Sequence, residues 1–514
     1  MKKIFKILFS RLAIVSILII VQFIFLAFLL YYIEEKYIYV SLVVDFITLI
    51  AVIIIINRIQ APSTKVPWII VVALLPMGWL IYLIFGLYMI SRGKKKKFHT
   101  LTNVVSRYYF EKKENIKQLE QIDLDLAGQS KYLKNTSDCP LYQNTIVKYL
   151  SSGEATFELM IEKLENAKKF IFLEYFIIEP GVFWNTILEI LEKKATEGLD
   201  VRVMYDDLGS VNTLPREYYR QLNEKGIKCL AFNKFIPIVS AVHNNRDHRK
   251  IMIIDGNIAF NGGMNLADEY INAKKRFGYW KDSNVYLYGE AVKSFTTMFL
   301  ESWNVVKKTD EDYDKFMPYY NGKEEYVSDG FVQPYCDGPR PIYDDKIGEN
   351  AYLNIINNAN KYLYITTPYL IIDYHIIQAL KNAAQRGVDV RIITPHIPDK
   401  KIIFWLTRSN YYALIEAGVK IYEFTPGFIH AKNFVCDDKV GVVGTINLDY
   451  RSLSHHFECA TWMAYCSALE DIKKDFLNTM LVSEEITLSK CKKITLISKI
   501  LSSIIGLFTP LMQC

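Results

Sequence analysis

The sequence predicts an α/β fold: two pseudo-twofold-related α/β/α repeats behind an N-terminal membrane-spanning helical region. Three observations carry this expectation. Apolar runs crowd the first 90 or so of the 514 residues. Residues 150–460 tell one succession of strands, helices and glycine turns twice. The pattern His-x-Lys-x4-Asp also occurs twice, in HRKIMIID (248–255) and HAKNFVCD (430–437). The expected divisions are a membrane anchor (1–98), a first catalytic repeat (99–310), a connector (311–345), a second catalytic repeat (346–490) and an interfacial C-terminal helix (491–514).

The anchor comes first. Stretches 12–33 and 37–56 are each long enough to cross a bilayer, and only Glu34, Glu35 and Lys36 separate them. The first is too long for a signal peptide and lacks a small-residue cleavage site. A third stretch, 67–90, is interrupted by Pro76 and Gly78, which predicts a kinked or re-entrant element. Basic clusters flank all three stretches: Lys2, Lys3, Lys6 and Arg11, then Arg58 and Lys65, then Arg92 and Lys94 to Lys97. The positive-inside tendency places every cluster in the cytoplasm. Two spans plus a re-entrant third segment satisfy it, with the catalytic region on the cytoplasmic face of a bacterial cell membrane. Three full spans, with that region outside, are the alternative. Asp45 and Gln22 lie within the spans, as functional groups or as polar contacts of the hairpin. At the other end, KKITLISKILSSIIGLFTPLMQC suits a helix lying in the interface or packed on the catalytic core.

Between these ends the composition is that of an ordinary globular protein. The eight cysteines form no CxxC pair. Cys436 and Cys459 sit in apolar strand-like runs, which predicts buried free thiols in a reducing compartment. No His/Cys cluster has zinc-site spacing, so neither a metal nor a cofactor is expected.

The repeat is legible in matched phrases. AKKFIFLEYFII from Ala167 corresponds to ANKYLYITTPYLII from Ala359, each a strand after a helix. GLDVRVMYDD from Gly198 corresponds to GVDVRIITPH from Gly387, each a glycine turn into a strand. NEKGIKCLAF and IEAGVKIYEF follow, each a helix end, a glycine stop and another strand. The two His-Lys-Asp strands close the repeats.

On a strand, alternate residues share a face, so His248 projects beside Lys250 and His430 beside Lys432. Six residues after Asp255 comes GGMN, ending at Asn265, and six after Asp437 comes GTIN, ending at Asn447. These ingredients suit phosphoryl chemistry. A neutral imidazole can attack phosphorus or pass a proton to a leaving oxygen. Lysine and asparagine can hold the charge of a pentacovalent transition state. The candidate catalytic set is therefore His248, Lys250, Asp255, His430, Lys432 and Asp437, with Asn265 and Asn447 binding substrate. Asp255 and Asp437 also suit a structural role, bonding backbone or the lysines. If the repeats face each other, one histidine becomes the nucleophile and the other the general acid. Of the remaining histidines, His455, His456 and His243 could line the site, and His99, His375 and His396 suit surface or loop positions.

The paired motifs resemble the phospholipase D superfamily, the HKD enzymes. The leader PWIIVVALLPMGWLIYLIFG, the phrases DHRKIMIIDGNIAFNGGMNLADEY and ITTPYLIID, and GFIHAKNFVCDDKVGVVGTINLDYRS together resemble bacterial cardiolipin synthases of the two-motif type. The resemblance implies a membrane-bound phosphatidyltransferase that condenses two phosphatidylglycerol molecules into cardiolipin and glycerol through a phosphatidyl-histidine. It implies His248 as nucleophile and His430 as acid/base. It also implies a carboxylate behind each imidazole, at the matching positions Asp282 and Glu458. Asn284 departs from the family phrase, standing where histidine is common. The expected partners are phosphatidylglycerol and anionic membrane lipids, and not nucleic acid. A phospholipase D-type hydrolase, a phosphatidylserine synthase and a non-catalytic anionic-lipid scaffold are the alternatives that sequence leaves open.

Overall fold

The computed structural model describes residues 24, 28, 31–32, 38–59, 62–75, 78–86, 92–109, 112–234, 245–309, 313–317, 329–340, 342–492 and 505–509. Most of stretch 12–33, with Gln22, lies outside the described residues, as do Pro76, His243 and most of 491–514.

Each repeat is built around one mixed sheet. In the first, β1 (Thr145–Leu150), β2 (Phe170–Tyr175), β3 (Asp200–Asp206), β4 (Lys228–Phe232), β5 (Lys250–Ile254), β6 (Ile258–Gly262) and β8 (Asn284–Gly289) lie in the order β1-β8-β6-β5-β2-β3-β4. The short strand β7 (Tyr279–Lys281) stands apart. In the second, β9 (Phe331–Asp337), β10 (Tyr362–Thr366), β12 (Asp389–Pro395), β13 (Lys420–Phe424), β15 (Asn433–Cys436), β16 (Val440–Gly444), β18 (Glu458–Ala464) and β19 (Ser483–Ile486) lie in the order β19-β13-β12-β10-β15-β16-β18-β9. Apart from β19 the two orders correspond strand for strand. The short strands β11 (Leu370–Ile371), β14 (Gly427–Ile429) and β17 (Leu448–Asp449) lie outside the main sheets.

The central strands explain themselves chemically. FIFLEY in β2 and YLYIT in β10 are buried at every residue, as expected where helices cover both faces of a sheet. Each runs parallel to the next strand, β3 or β12, through a crossover helix, Val182–Thr196 or Tyr374–Gln385. Both crossovers stop at glycines in the same left-handed conformation, Gly198 and Gly387, each at φ 94°, where a Cβ would be strained. The strand carrying each motif, β5 or β15, then pairs antiparallel to β2 or β10. One hydrophobic core runs through both repeats, taking Phe172, Ile253 and Leu287 from the first sheet and Leu363, Val435 and Trp462 from the second.

Two of the expected boundaries need correction. The connector ends earlier than residue 345, because β9 pairs with β18 along its whole length, from Asp337 opposite Glu458 to Phe331 opposite Ala464. The helix Leu124–Ser137 belongs spatially to the second repeat, since Gln333 donates to the carbonyls of Ser130 and Cys139 and Asn350 to Tyr132. Strand pairing and hydrogen bonds, not chain order, assign these segments. The described cysteines are free and buried, Cys436 and Cys459 among them.

In the segment expected to anchor the chain, Ile38–Arg58 forms a helix with outward apolar side chains such as Leu42, Phe46 and Ile53, and with Asp45 exposed. Among the described residues no helix is long and apolar enough to cross a membrane. The third stretch folds back on itself. Trp68 and Tyr82 would lie about 21 Å apart along a straight helix, yet their ring centroids are 5.3 Å apart. Gly78 makes the reversal possible: a Cβ there would sit 2.1 Å from the Val71 carbonyl oxygen. At the C-terminus Ile505 packs against Ile371, Ile403 and Leu406.

Phe172 stacks on Phe299 at 4.6 Å and lies edge-on to Phe316 at 4.9 Å. Phe172→Ala should cost about 3–5 kcal/mol, read as a lowered midpoint in thermal unfolding of the detergent-solubilised protein.

Candidate active site

The site forms where the two repeats meet, and backbone pairing between them sets its register. β14 runs parallel to β7, with Ile429 opposite Lys281, and the His430 amide donates to the Lys281 carbonyl at 2.7 Å. Asp247 bridges to Phe457, and the His248 amide donates to the Phe457 carbonyl at 2.9 Å. Each histidine is thereby placed beside the residue that precedes a carboxylate of the other repeat.

The side chains complete the exchange. His248 Nδ1 lies 2.9 and 3.0 Å from the Glu458 oxygens. His430 Nδ1 lies 2.7 Å from Asp282 Oδ2. Both carboxylates are fully buried. A carboxylate at Nδ1 holds the proton there and leaves Nε2 with its lone pair facing the site. Glu458 accepts a further bond from Thr445, and Asp282 accepts from the Ser283 amide.

Lys250 and Lys432 are each 1% exposed, and Lys250 Nζ donates to the His248 carbonyl at 2.5 Å. Lys432 does the same to the His430 carbonyl. Its 2.9 Å approach to His430 Nδ1 is proximity rather than a hydrogen bond, because that nitrogen gives its proton to Asp282. Burial pulls Lys250 down to about 8 and Lys432 to about 7, against the opposing pull of Glu458 and Asp282 respectively. Burial and then the lysines depress both imidazoles, His430 to about 4 and His248 well below its ordinary value. His248 responds to Lys432 and His430, and His430 to Lys250, so the two motifs share one electrostatic environment. Burial alone would raise Asp282; His430 and Lys432 outweigh it and hold the carboxyl low.

Two members of the expected catalytic set stand elsewhere. Asp255 accepts from the amides of Lys168, Lys169 and Phe170, and Asp437 from those of Asn360, Lys361 and Tyr362. Each closes the far end of a motif strand on the start of the neighbouring strand, so the catalytic placement of Asp255 and Asp437 is corrected to a structural one. Asn265 accepts from the Ile177 amide and donates to the Tyr270 hydroxyl, which leaves one amide N–H. Asn447 Oδ1 has no hydrogen-bond partner among the described residues. Asn284 points into the fold, its amide 3.4 Å from the Thr156 hydroxyl.

Some site residues carried no signal that sequence reasoning could use. Tyr270, Trp280 and Phe428 surround the His430 ring at 5.5 to 5.9 Å, and Phe176 lies 5.0 Å from the His248 ring. Arg249, inside the first motif, is buried against Glu174 at 3.5 Å and Ser302 at 2.6 Å. His456 does line the site, 5.3 Å from His248 ring to ring. Its donor atom, with those of His248 and Glu458, falls within 4.8 Å, a set suited to Zn²⁺ only if the metal displaces the proton that His248 shares with Glu458. His396 pairs with Glu423 at 3.0 Å, away from the site.

A repeated α/β unit holding two opposed histidine–carboxylate pairs and two lysines defines a phospholipase D-like fold and site. The comparisons agree. A family model for the cardiolipin synthase phospholipase D-like domain matches residues 160–303 and 352–480, and a phospholipase D-nuclease N-terminal model matches 46–86. The chain is 45% identical over 464 residues to an uncharacterised protein of Streptococcus mutans serotype c, covering 90% of this chain and 99% of that one. It is 35% identical over 467 residues to cardiolipin synthase 1 of Bacillus anthracis, covering 88% and 90%. It is 33% identical over 458 residues to a cardiolipin synthase of Halalkalibacterium halodurans, covering 88% and 89%. The crystal structure of phosphatidylserine synthase from Haemophilus influenzae Rd KW20 shares the fold, with a TM-score of 0.55 at 15% identity, over 75% of this chain and 98% of that one. The chain belongs to the cardiolipin synthase family of phospholipase D-like proteins.

Asp255→Ala and Asp437→Ala each strip a strand closure of its acceptor. Each should cost about 1–3 kcal/mol of stability while turnover per folded molecule stays near wild type, a split read from thermal unfolding alongside activity. The low values of Lys432 and Lys250 also set a pH dependence. Raising the pH through about 7 to 8 removes cations from the site. Affinity for inorganic phosphate should therefore fall across that interval and binding should take up protons, both measurable by calorimetry in buffers of different ionisation enthalpy.

Proposed function

We propose that this protein is a membrane-bound phosphatidyltransferase that condenses two phosphatidylglycerol molecules into cardiolipin and glycerol. The observation that carries this is the crossed pairing, His248 with Glu458 and His430 with Asp282, which presents two imidazoles and two lysines to one substrate phosphate. His248 Nε2 attacks the phosphorus of the donor lipid, and the bond to the headgroup glycerol breaks. His430 gives that glycerol a proton. After glycerol leaves, His430 removes a proton from the headgroup hydroxyl of a second phosphatidylglycerol. That oxygen attacks phosphorus, the phosphorus–nitrogen bond breaks, and His248 is regenerated. Lys250, Lys432, Asn265 and Asn447 hold the phosphate oxygens.

The electrostatics support this division of roles. A nucleophile must be neutral, and burial and then the nearby lysines hold His248 well below its ordinary value. The general acid must carry a proton. Asp282 already opposes the fall of His430, and a bound phosphodiester anion would neutralise the lysines that push it down. The same residues with water as acceptor would give phosphatidic acid. The membrane-adjacent hairpin and the basic run from Arg92 fit an active region on the cytoplasmic face, with anionic lipids as partners.

In phosphatidylglycerol vesicles the purified protein should yield cardiolipin and one glycerol per cardiolipin, with or without a chelator, by chromatography of the products. Phosphatidic acid as the sole product would sink the transferase assignment. His430→Ala should lower turnover by about 10²–10⁴-fold, and far less with a donor whose p-nitrophenol headgroup leaves unprotonated. Mass mapping of the trapped adduct should find the phosphatidyl group on His248.

A further inference from the structure

Cardiolipin carries two phosphates joined through one glycerol, so the condensation needs two anion seats one glycerol unit apart. Lys250 and Lys432 serve the phosphate that reacts. A second concave site lies beside them, between the helix Lys401–Ser409 and the turn that follows β17. Its lining combines two cations, Lys400 and Arg451, with an apolar wall from Ile371 and Ile403, the rings of Tyr369 and Tyr450, Thr509, and one carboxyl, Asp449, which accepts from the Ser452 amide and which burial pushes toward its neutral form. Its floor is the parallel pairing of β11 with β17, Leu370 opposite Leu448, and β17 follows directly on Asn447. Arg451 is near enough to the reaction centre for its charge to depress both His248 and His456.

The surroundings of this pocket suit a lipid. The helix beside it is divided lengthwise: Ile403 and Leu406 are buried, while Ile402 and Trp405 are 46% and 47% exposed. Those two stand at i and i+3, on one face, next to the basic residues Lys400 and Lys401. An apolar face with a tryptophan and flanking lysines suits the boundary of an anionic bilayer. Among the described residues Tyr369 is also tied to Asp399 at 2.7 Å, which fixes the segment that presents Lys400.

We propose that this pocket seats the acceptor phospholipid, with its phosphate between Lys400 and Arg451, an acyl chain along Ile371 and Ile403, and its headgroup hydroxyl directed at the His248–His430 pair. The assignment rests on the transferase function proposed above and adds the place of the second substrate. Apart from the donor's seat, this is a distinct anion site opening toward the bilayer along Ile402 and Trp405.

The test separates the half-reactions in the full-length protein reconstituted in phosphatidylglycerol vesicles. Exchange of labelled free glycerol into phosphatidylglycerol needs only the donor site. Cardiolipin formation needs both sites. Lys400 is exposed, so Lys400→Glu keeps the fold intact. It should lower cardiolipin formation by about tenfold or more, the loss of one charge-assisted phosphate contact, while glycerol exchange stays within about twofold. Lys400→Arg should restore condensation. Equal loss of both reactions, or no change in either, would overturn the acceptor seat. A wild-type protein that exchanges glycerol but forms no cardiolipin would instead overturn the transferase function itself.

Discussion

The active centre depends on an exchange of carboxylates between the repeats. His248 is oriented by Glu458 and His430 by Asp282, and in both cases the acid belongs to the half that does not supply the imidazole. Neither repeat therefore holds a competent histidine alone. The exchange is imposed by backbone: β14 on β7, and Asp247 against Phe457, fix the register before any side chain is considered. A slip of one residue in either pairing would turn the carboxylate to the opposite face. This accounts for short pairings at the seam between two large sheets.

The second constraint is electrostatic. Two lysines are almost wholly buried beside two buried imidazoles, and among the described residues neither lysine has an ion-pair partner. Burying such cations is costly, and the depressed values of Lys250 and Lys432 express that cost. A phosphodiester relieves it by bringing the missing negative charge. The free site is thus destabilised in the sense that favours anion binding, and the surrounding strands, closed by Asp255 and Asp437, hold it in that state.

The site was more legible than the scaffold details. The duplicated His-Lys spacing, the matched strand phrases and the glycine stops at Gly198 and Gly387 all derive from local rules: alternation along strands, helix termination and residue chemistry. The same local rules left Asp255 and Asp437 between a catalytic and a structural role, since a motif written in one line suggests a single site. A strand four or five residues long carries the residue that follows it to the other end of the sheet. Nor could spacing assign 331–337 and 124–137 to the second repeat, because only the pairing of β9 with β18 and the hydrogen bonds of Gln333 and Asn350 do so.

What the sequence by itself determined was the chemistry and the doubling: the histidines and lysines at the site, a repeated α/β unit, and a broken third apolar stretch around Gly78. These are properties of nearest neighbours along the chain. The tertiary structure alone decided which carboxylate serves which imidazole, which aromatic rings wall them, and that a pocket carrying Lys400 and Arg451 lies beside the reaction centre. Those partners are separated by up to 210 residues, and contacts across such distances are set by sheet register and burial, for which linear spacing holds no record.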